Sequence, residues 1–204
     1  QGLPTITHII AGTEESVVPA SKLRLWTGAR RNNHTTVVRC ADKLKMKEYL
    51  IKKEIPMTDF LNSKNDLSAE ATFERLGSPV ISKKRLSSGG RALERIRDNK
   101  TLEENQGSGR IFEKAITGTE GSIESFVLNG EILFTSVTRY AKLGSINIVP
   151  GDYPEHVLRE IKELNQKVLK ALKLDFGITH LEYYVTEKGV LFGEVANRPP
   201  GGYI

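Results

Sequence analysis

The sequence predicts an α+β fold, and three observations lead to it. From Pro154 to Leu172, the residues Val157, Ile161, Leu164, Val168 and Leu172 fall on one helical face. Asn129-Gly130 joins two strand-like runs, a strong hairpin signal because both central residues of a type I′ turn need positive φ. Over the whole chain, helical and antiparallel strand patterns alternate unevenly, which is an α+β arrangement.

The elements follow in order. Ile6 to Ala11 reads as a short buried strand and Glu14 to Trp26 as a helix. Val37 to Arg39 reads as a short strand. Asp42 to Lys53 reads as a helix with Asp42 as N-cap and Leu44, Tyr49 and Leu50 apolar. Met57 to Phe60 reads as a strand, and Ser68 caps a helix that runs to Leu76 and stops at Gly77 and Pro79. Val80 to Arg85 is a strand entering a glycine turn at Gly89-Gly90. Arg110 to Ala115 is a strand, followed by the Asn129-Gly130 hairpin and the long helix. Gly177 to Thr186 and Val190 to Ala196 form a last pair, turning at Glu187-Lys188-Gly189.

Composition narrows the function classes. At 204 residues the chain is long enough for one ordinary domain or two small subdomains with a core. Hydrophobic residues at 38% and charged residues at 27% fit a soluble globular protein, and no apolar run is long enough to cross a bilayer. Gln1 to Thr7 lacks the basic-then-apolar pattern of a secretory signal, and a first residue other than Met suits a fragment or a chain with an unseen start. Cys40 is the only cysteine, which excludes an internal disulfide and suits a reducing, cytoplasmic setting. Asn33-His34-Thr35 and Asn99-Lys100-Thr101 match the glycosylation pattern and are read as chance.

The net charge of +5 suits an anionic partner. Lys83, Lys84, Arg85, Arg91, Arg95, Arg97 and Lys100 concentrate in one stretch. No helix-turn-helix, zinc module or interleaved aromatic pattern accompanies them, so a nucleotide phosphate is a more economical partner than a nucleic acid.

Several motifs fail. There is no Walker A pattern, and Gly107-Ser108-Gly109 lacks the third glycine of a dinucleotide loop. Asp175-Phe176-Gly177 matches a kinase tripeptide without the catalytic loop that should precede it. The histidines show no zinc-ligand spacing. What remains is a carboxylate pair. Glu182 and Glu194 lie on adjacent strands and, counted back from the turn, can face each other. Facing carboxylates repel unless a cation lies between them, and Mg²⁺ is suited because it takes oxygen ligands completed by phosphates and water. Glu194 runs on to Arg198 and a Pro-Pro-Gly-Gly turn. Lys83 ends the apolar strand Val80-Ile81-Ser82 and leads to Ser87-Ser88-Gly89-Gly90, a setting for a phosphate. A basic edge strand with a loose turn would have the same sequence.

In this order the pieces resemble the ATP-grasp superfamily, of which biotin carboxylase and D-alanine–D-alanine ligase are typical. The series is Asp42-Lys43-Leu44, then Pro79 to Lys83 with Ser87 to Gly90, then Glu113-Lys114-Ala115-Ile116 with Gly118-Thr119-Glu120. It ends with His180-Leu181-Glu182 and Glu194 to Arg198, so the resemblance spans Ile9 to Gly202. It implies two α+β subdomains with ATP held between them. Residues 1–40 would be the end of a preceding domain and its junction, 41–112 a small lid subdomain, and 113–204 a large subdomain with a metal-binding hairpin.

The resemblance also implies roles. Lys43 and Lys83 would bind phosphates, with Ser88, Gly89 and Gly90 closing over them. Glu113 and the backbone of Lys114, Ala115 and Ile116 would read the adenine edge, and Glu120 the ribose hydroxyls. Glu182 and Glu194 would hold Mg²⁺, or Mn²⁺ in its place, with Asn197 as a further metal ligand. Lys83 and Arg198 would be catalytic, Arg198 steadying the carboxylate or the transferring phosphoryl group. The family's usual Asn two residues after the second glutamate is Ala196 here, and Lys84 stands where Pro is frequent.

The implied reaction is ATP-dependent ligation. A small-molecule carboxylate becomes an acylphosphate, and an amine or similar nucleophile displaces phosphate. The alternatives are an ATP-grasp kinase and a non-catalytic ATP-binding module. No nucleic-acid or membrane partner is expected, and a homodimer is compatible with the resemblance.

Overall fold

The computed structural model describes residues 5–64, 66–87, 93–107, 109–142, 145–201 and 204. Helix α1 (Glu14–Thr27) ends at Gly28, whose φ of 71° is the left-handed conformation a helix stop favours. Helix α2 (His34–Ala41) is capped by Asn33, which accepts from Thr35 N. Helix α3 (Lys43–Ile51) is capped by Asp42, whose Oδ1 accepts from Leu44 N and Lys45 N at 3.1 and 3.3 Å. Strand β1 (Phe60–Asn62) precedes helix α4 (Ala69–Leu76), which Ser68 caps and Gly77 ends. Strands β2 (Val80–Lys84) and β3 (Glu94–Ile96) are followed by helix α5 (Asn99–Asn105) and strand β4 (Arg110–Lys114).

Strands β5 (Thr119–Leu128) and β6 (Glu131–Lys142) turn at Asn129 and Gly130, with φ of 56° and 78° as a type I′ hairpin requires. Strand β7 (Ile146–Ile148), helix α6 (Glu155–Leu172) and strands β8 (Phe176–Thr186) and β9 (Gly189–Ala196) complete the order.

Two antiparallel sheets result, one of four strands in the order β1-β4-β2-β3 and one of five in the order β7-β6-β5-β8-β9. On the smaller sheet, Leu61, Val80, Ile96 and Phe112 form a core with Ala69, Leu76 and Leu102 of α4 and α5. Strand alternation puts Ile81, Lys83, Ile111 and Glu113 on the opposite face. On the larger sheet, Ile123, Leu181, Tyr183, Phe192 and Val195 pack on Ile161, Leu164, Val168 and Leu172 of α6. Each of these fully buried aliphatic side chains contributes about 1.5–3 kcal/mol. The other face therefore carries Glu120, Ser122 and Glu124 on β5 and His180, Glu182 and Tyr184 on β8.

Glu182 pairs with Glu194 because of a β-bulge. The register runs Tyr183↔Phe192 and then Glu182↔Glu194, so Gly193 is the extra residue. A Cβ at Gly193 would lie 2.9 Å from the Glu182 carbonyl oxygen, which explains a glycine there.

Three sequence expectations are corrected. Residues 5–12 are not part of a strand. Val37 to Arg39 is helical, within α2, where Thr36, Val37 and Cys40 are buried. Met57 makes an isolated bridge to Phe192, and the strand begins at Phe60. The two sheets divide at residues 115–118, since β4 carries Glu113 and Lys114 into the smaller one. Met46, Leu50 and Ile55 of the segment before β1 pack in the larger sheet's core. Among the described residues, no helix is long and apolar enough to cross a membrane.

Candidate functional site

Three lysines and a row of acids meet where α3, the free face of the smaller sheet and the free face of the larger sheet converge. Helix α3 presents Lys43 and Lys47 one turn apart. Asp42 fixes its start and also takes a two-point ion pair from Arg85, with Nε–Oδ1 3.0 Å and Nη2–Oδ2 2.6 Å. That pair ties the helix to the segment just after β2, the strand carrying Lys83.

Glu113 stands between two cations. Its Oε1 is 3.0 Å from Lys47 Nζ and its Oε2 2.9 Å from Lys83 Nζ. The Lys47 contact is close enough for ionic attraction, although Oε1 lacks hydrogen-bonding geometry. Burial alone would raise the Glu113 pKa, but the two ammonium groups outweigh it and bring it down to about 2. Lys47, 2% exposed, is lowered by burial despite Glu113. Lys83 also loses solvation, yet Glu113, Tyr184 and Glu194 hold it above the ordinary lysine value.

Across from these lies the acid pair. Lys43 Nζ is 3.0 Å from Glu194 Oε2 and donates to the Ser87 carbonyl at 2.6 Å. Burial and the neighbouring Glu182 charge raise the Glu194 pKa. Glu182 is also penalised by burial, but His180, Lys83 and Lys43 lower it. Glu120 is pushed up to about 7, first by burial and then by Glu182. His180 Nδ1 sits 2.7 Å from Glu124 Oε1, and its Nε2 3.4 Å from Glu182 Oε1. Burial would lower the imidazole pKa, but the two carboxylates take it up to about 9.

This donor set fits Mg²⁺. Two carboxylates face each other at one register position, and burial together with the Glu182 charge disfavours ionisation of Glu194. Among the described residues no group of three or more His, Cys, Asp or Glu is arranged to hold a metal by itself. Further oxygens would have to come from phosphate and water.

The expected residues are thus partly assembled. Lys43, Lys83, Glu113, Glu182 and Glu194 converge, and Glu120 is close enough for Lys83 and Glu182 to shift its titration. Lys114, Ala115 and Ile116 form the end of β4 and the link between the sheets; Lys114 N donates to the Asp59 carbonyl. The Glu113 carboxylate turns to the lysines.

Asn197, expected as a further metal ligand, has its amide engaged away from the two acids. Strand alternation gives the face of the acids to Ala196, opposite His180. The Asn197 Oδ1 accepts from Asn32 Nδ2 at 2.9 Å, and its Nδ2 donates to the Ile178 carbonyl at 3.2 Å. Arg198 donates from Nε to Glu14 Oε2 at 2.8 Å, so its guanidinium is engaged at the start of α1. Ser88, Gly89 and Gly90 lie outside the described residues. Sequence reasoning missed Lys47, whose signal was its spacing of four from Lys43 on one helix. It also gave His180 no role beyond its place in the motif and missed Glu124, 56 residues away with no local signal.

Comparisons with known proteins bear on the family. The ATP-grasp domain model matches residues 48–201. The L-arginine-specific L-amino acid ligase of Bacillus subtilis is 33% identical over 97% of this chain, which spans about half (52%) of that ligase's length. An L-amino acid ligase structure from Bacillus licheniformis superposes with a TM-score of 0.75 at 21% identity, covering 93% of this chain and 48% of that one. An ATP complex of D-alanine–D-alanine ligase from Bacillus anthracis gives 0.72 at 22%, covering 93% and 66%. With facing acids on a hairpin, lysines on a helix and a second sheet, and a domain match over most of its length, the chain belongs to the ATP-grasp family.

Proposed function

We propose that the full-length protein is an ATP-dependent ligase that activates a carboxylate as an acylphosphate and passes the acyl group to an amine. The observation that carries this reading is the 3.0 Å pairing of Lys43 with Glu194. Each is the other's counter-ion until a ligand offers both signs of charge. A nucleotide with a divalent cation does so, leaving Lys43 to a phosphate and Glu194 to the cation.

Lys83, held by Glu113 at 2.9 Å, would take a second phosphate contact. The backbone at 114–116 would meet the adenine, and Glu120 the ribose. Glu182 and Glu194 would hold Mg²⁺, with Mn²⁺ as a substitute, which would supply positive charge against the terminal phosphates. Arg198 would exchange Glu14 for the substrate carboxylate or the transferring group. The smaller sheet with α4 and α5 would be the lid over the larger sheet. The buried Cys40, its thiol pushed up to about 12 chiefly by burial, would be an unreactive core residue. The relation to L-amino acid ligases supports an L-amino acid as the carboxylate.

The test is ADP release by the full-length protein with Mg-ATP and single or paired L-amino acids, with hydroxylamine added as a trap. ADP release that requires an amino acid, with a hydroxamate in the trap, is the expected result. A stable phosphorylated product would make the protein a kinase. A second reading is favoured by Ala196 and by the engaged Asn197: a nucleotide-binding module without turnover, which would bind ADP and release none from ATP with any amino acid.

A further inference from the structure

A buried line of polar side chains crosses the site face of the larger sheet and ends on Glu182. It begins at Thr138 on β6, whose Oγ1 donates to Glu124 Oε2 at 3.2 Å. Glu124 Oε1 meets His180 Nδ1 at 2.7 Å, and His180 Nε2 is 3.4 Å from Glu182 Oε1. Glu124 and His180 are direct cross-strand partners on β5 and β8. Thr138, His180 and Glu124 are 0%, 6% and 7% exposed. Burying a carboxylate and an imidazole costs free energy unless their contacts repay it, and the nucleotide contacts described above use neither group. Both Glu124 oxygens are engaged, so Glu124 is fixed. It fixes the ring in turn and aims Nε2 at Glu182.

We infer that His180 and Glu124 are positioning residues for the metal site, holding Glu182 so that its remaining oxygen faces the space before Glu194. This rests on the reading of Glu182 as a magnesium ligand. The two acids are then held in different ways. Glu194 has an exchangeable partner in Lys43, whose place a bound cation would take once a phosphate draws Lys43 away. Glu182 has a buried partner that stays when the ligand arrives. Outer carboxylate–imidazole contacts of this kind orient ligands, and losing one costs about 10–100-fold in metal affinity.

The test is calorimetry of ADP binding to the full-length protein over a series of Mg²⁺ concentrations and in EDTA. His180→Ala and Glu124→Gln should each raise the Mg²⁺ concentration for half-maximal enhancement about tenfold. Metal-free ADP binding should stay within about twofold, since neither residue contacts the nucleotide in this scheme. The double variant should be no worse than His180→Ala alone, because both act through one contact. A folded His180→Ala with an unchanged Mg²⁺ requirement, or single effects that add, overturns the proposal. If His180→Ala does not fold, Glu124→Gln and Thr138→Val decide it, and an unchanged requirement in both is a refutation. Glu182→Gln separates the two levels of the argument. If it alters the Mg²⁺ requirement while His180→Ala does not, the positioning role falls alone. If it leaves the requirement unchanged, or wild type shows none, the metal reading falls and the positioning role with it.

Discussion

The two faces that meet at the site handle buried charge in opposite ways. On the lysine side, one carboxylate, Glu113, answers two buried ammonium groups, Lys47 and Lys83. On the larger sheet, Glu120, Glu124, Glu182 and Glu194 outnumber the one buried imidazole, His180. One face is short of negative charge and the other short of positive charge. Such a divided site is neutralised by a ligand that is itself divided, an anion carrying a cation, and neither part alone satisfies both faces.

The largest expected effect lies on the lysine side. Glu113→Gln leaves Lys47 and Lys83 buried without their shared counter-charge and should cost about 3–5 kcal/mol in urea unfolding. A loss below about 1 kcal/mol would mean that solvent or other acids satisfy the lysines, and the contrast between the faces would fail.

The acid side should show its excess in a pH profile. The Glu120 pKa is raised to about 7 by burial and by Glu182, from the ordinary carboxylate value of 4.5. The native state therefore holds this proton more tightly than the unfolded chain. The group contributes stability at low pH that is lost as pH rises from about 4.5 through about 7. Glu120→Gln abolishes that loss. Its stability relative to wild type should grow by about 2 kcal/mol between pH 5 and pH 8. Parallel profiles for the two proteins would show that Glu120 is not strained by its neighbours.

The smallest effect sharpens the sidedness of β9. Glu194→Gln should weaken the Mg²⁺-dependent part of ADP binding at least tenfold, or about 1.4 kcal/mol. Asn197→Ala, on the other face of the same strand end, should change the Mg²⁺ requirement less than about twofold while lowering the melting temperature through its lost amide contacts. An equal loss of Mg²⁺ dependence in both would return Asn197 to the metal.

What the sequence made legible was mostly local. Asp42, Ser68 and Asn129-Gly130 state their roles within a few residues, and the long helix announces itself by period. The run Thr35 to Val38 was misleading: its β-branched residues favour a strand in isolation, but Asn33 caps a helix that buries Val37 and Cys40. The motif order named Lys43, Lys83, Glu182 and Glu194, which the structure brings together. It could not give the partners of Glu113 or the contact of His180 with Glu124, because both depend on where distant strands settle. Counting a regular ladder back from the turn sets Gly193, not Glu194, opposite Glu182, and the bulge supplies the missing step.

That bulge means the strand carries one residue of slack. Val190 and Phe192 point to the core before Gly193, and Val195 does so after it. Gly193 is the single position in this stretch whose deletion would leave every other side chain facing as it does now. A shortened strand would still set Glu194 opposite Glu182, losing only the extra twist. The spacing between the turn and the second acid is therefore not a fixed number in this hairpin. What is conserved by the geometry is which side of the sheet each residue faces.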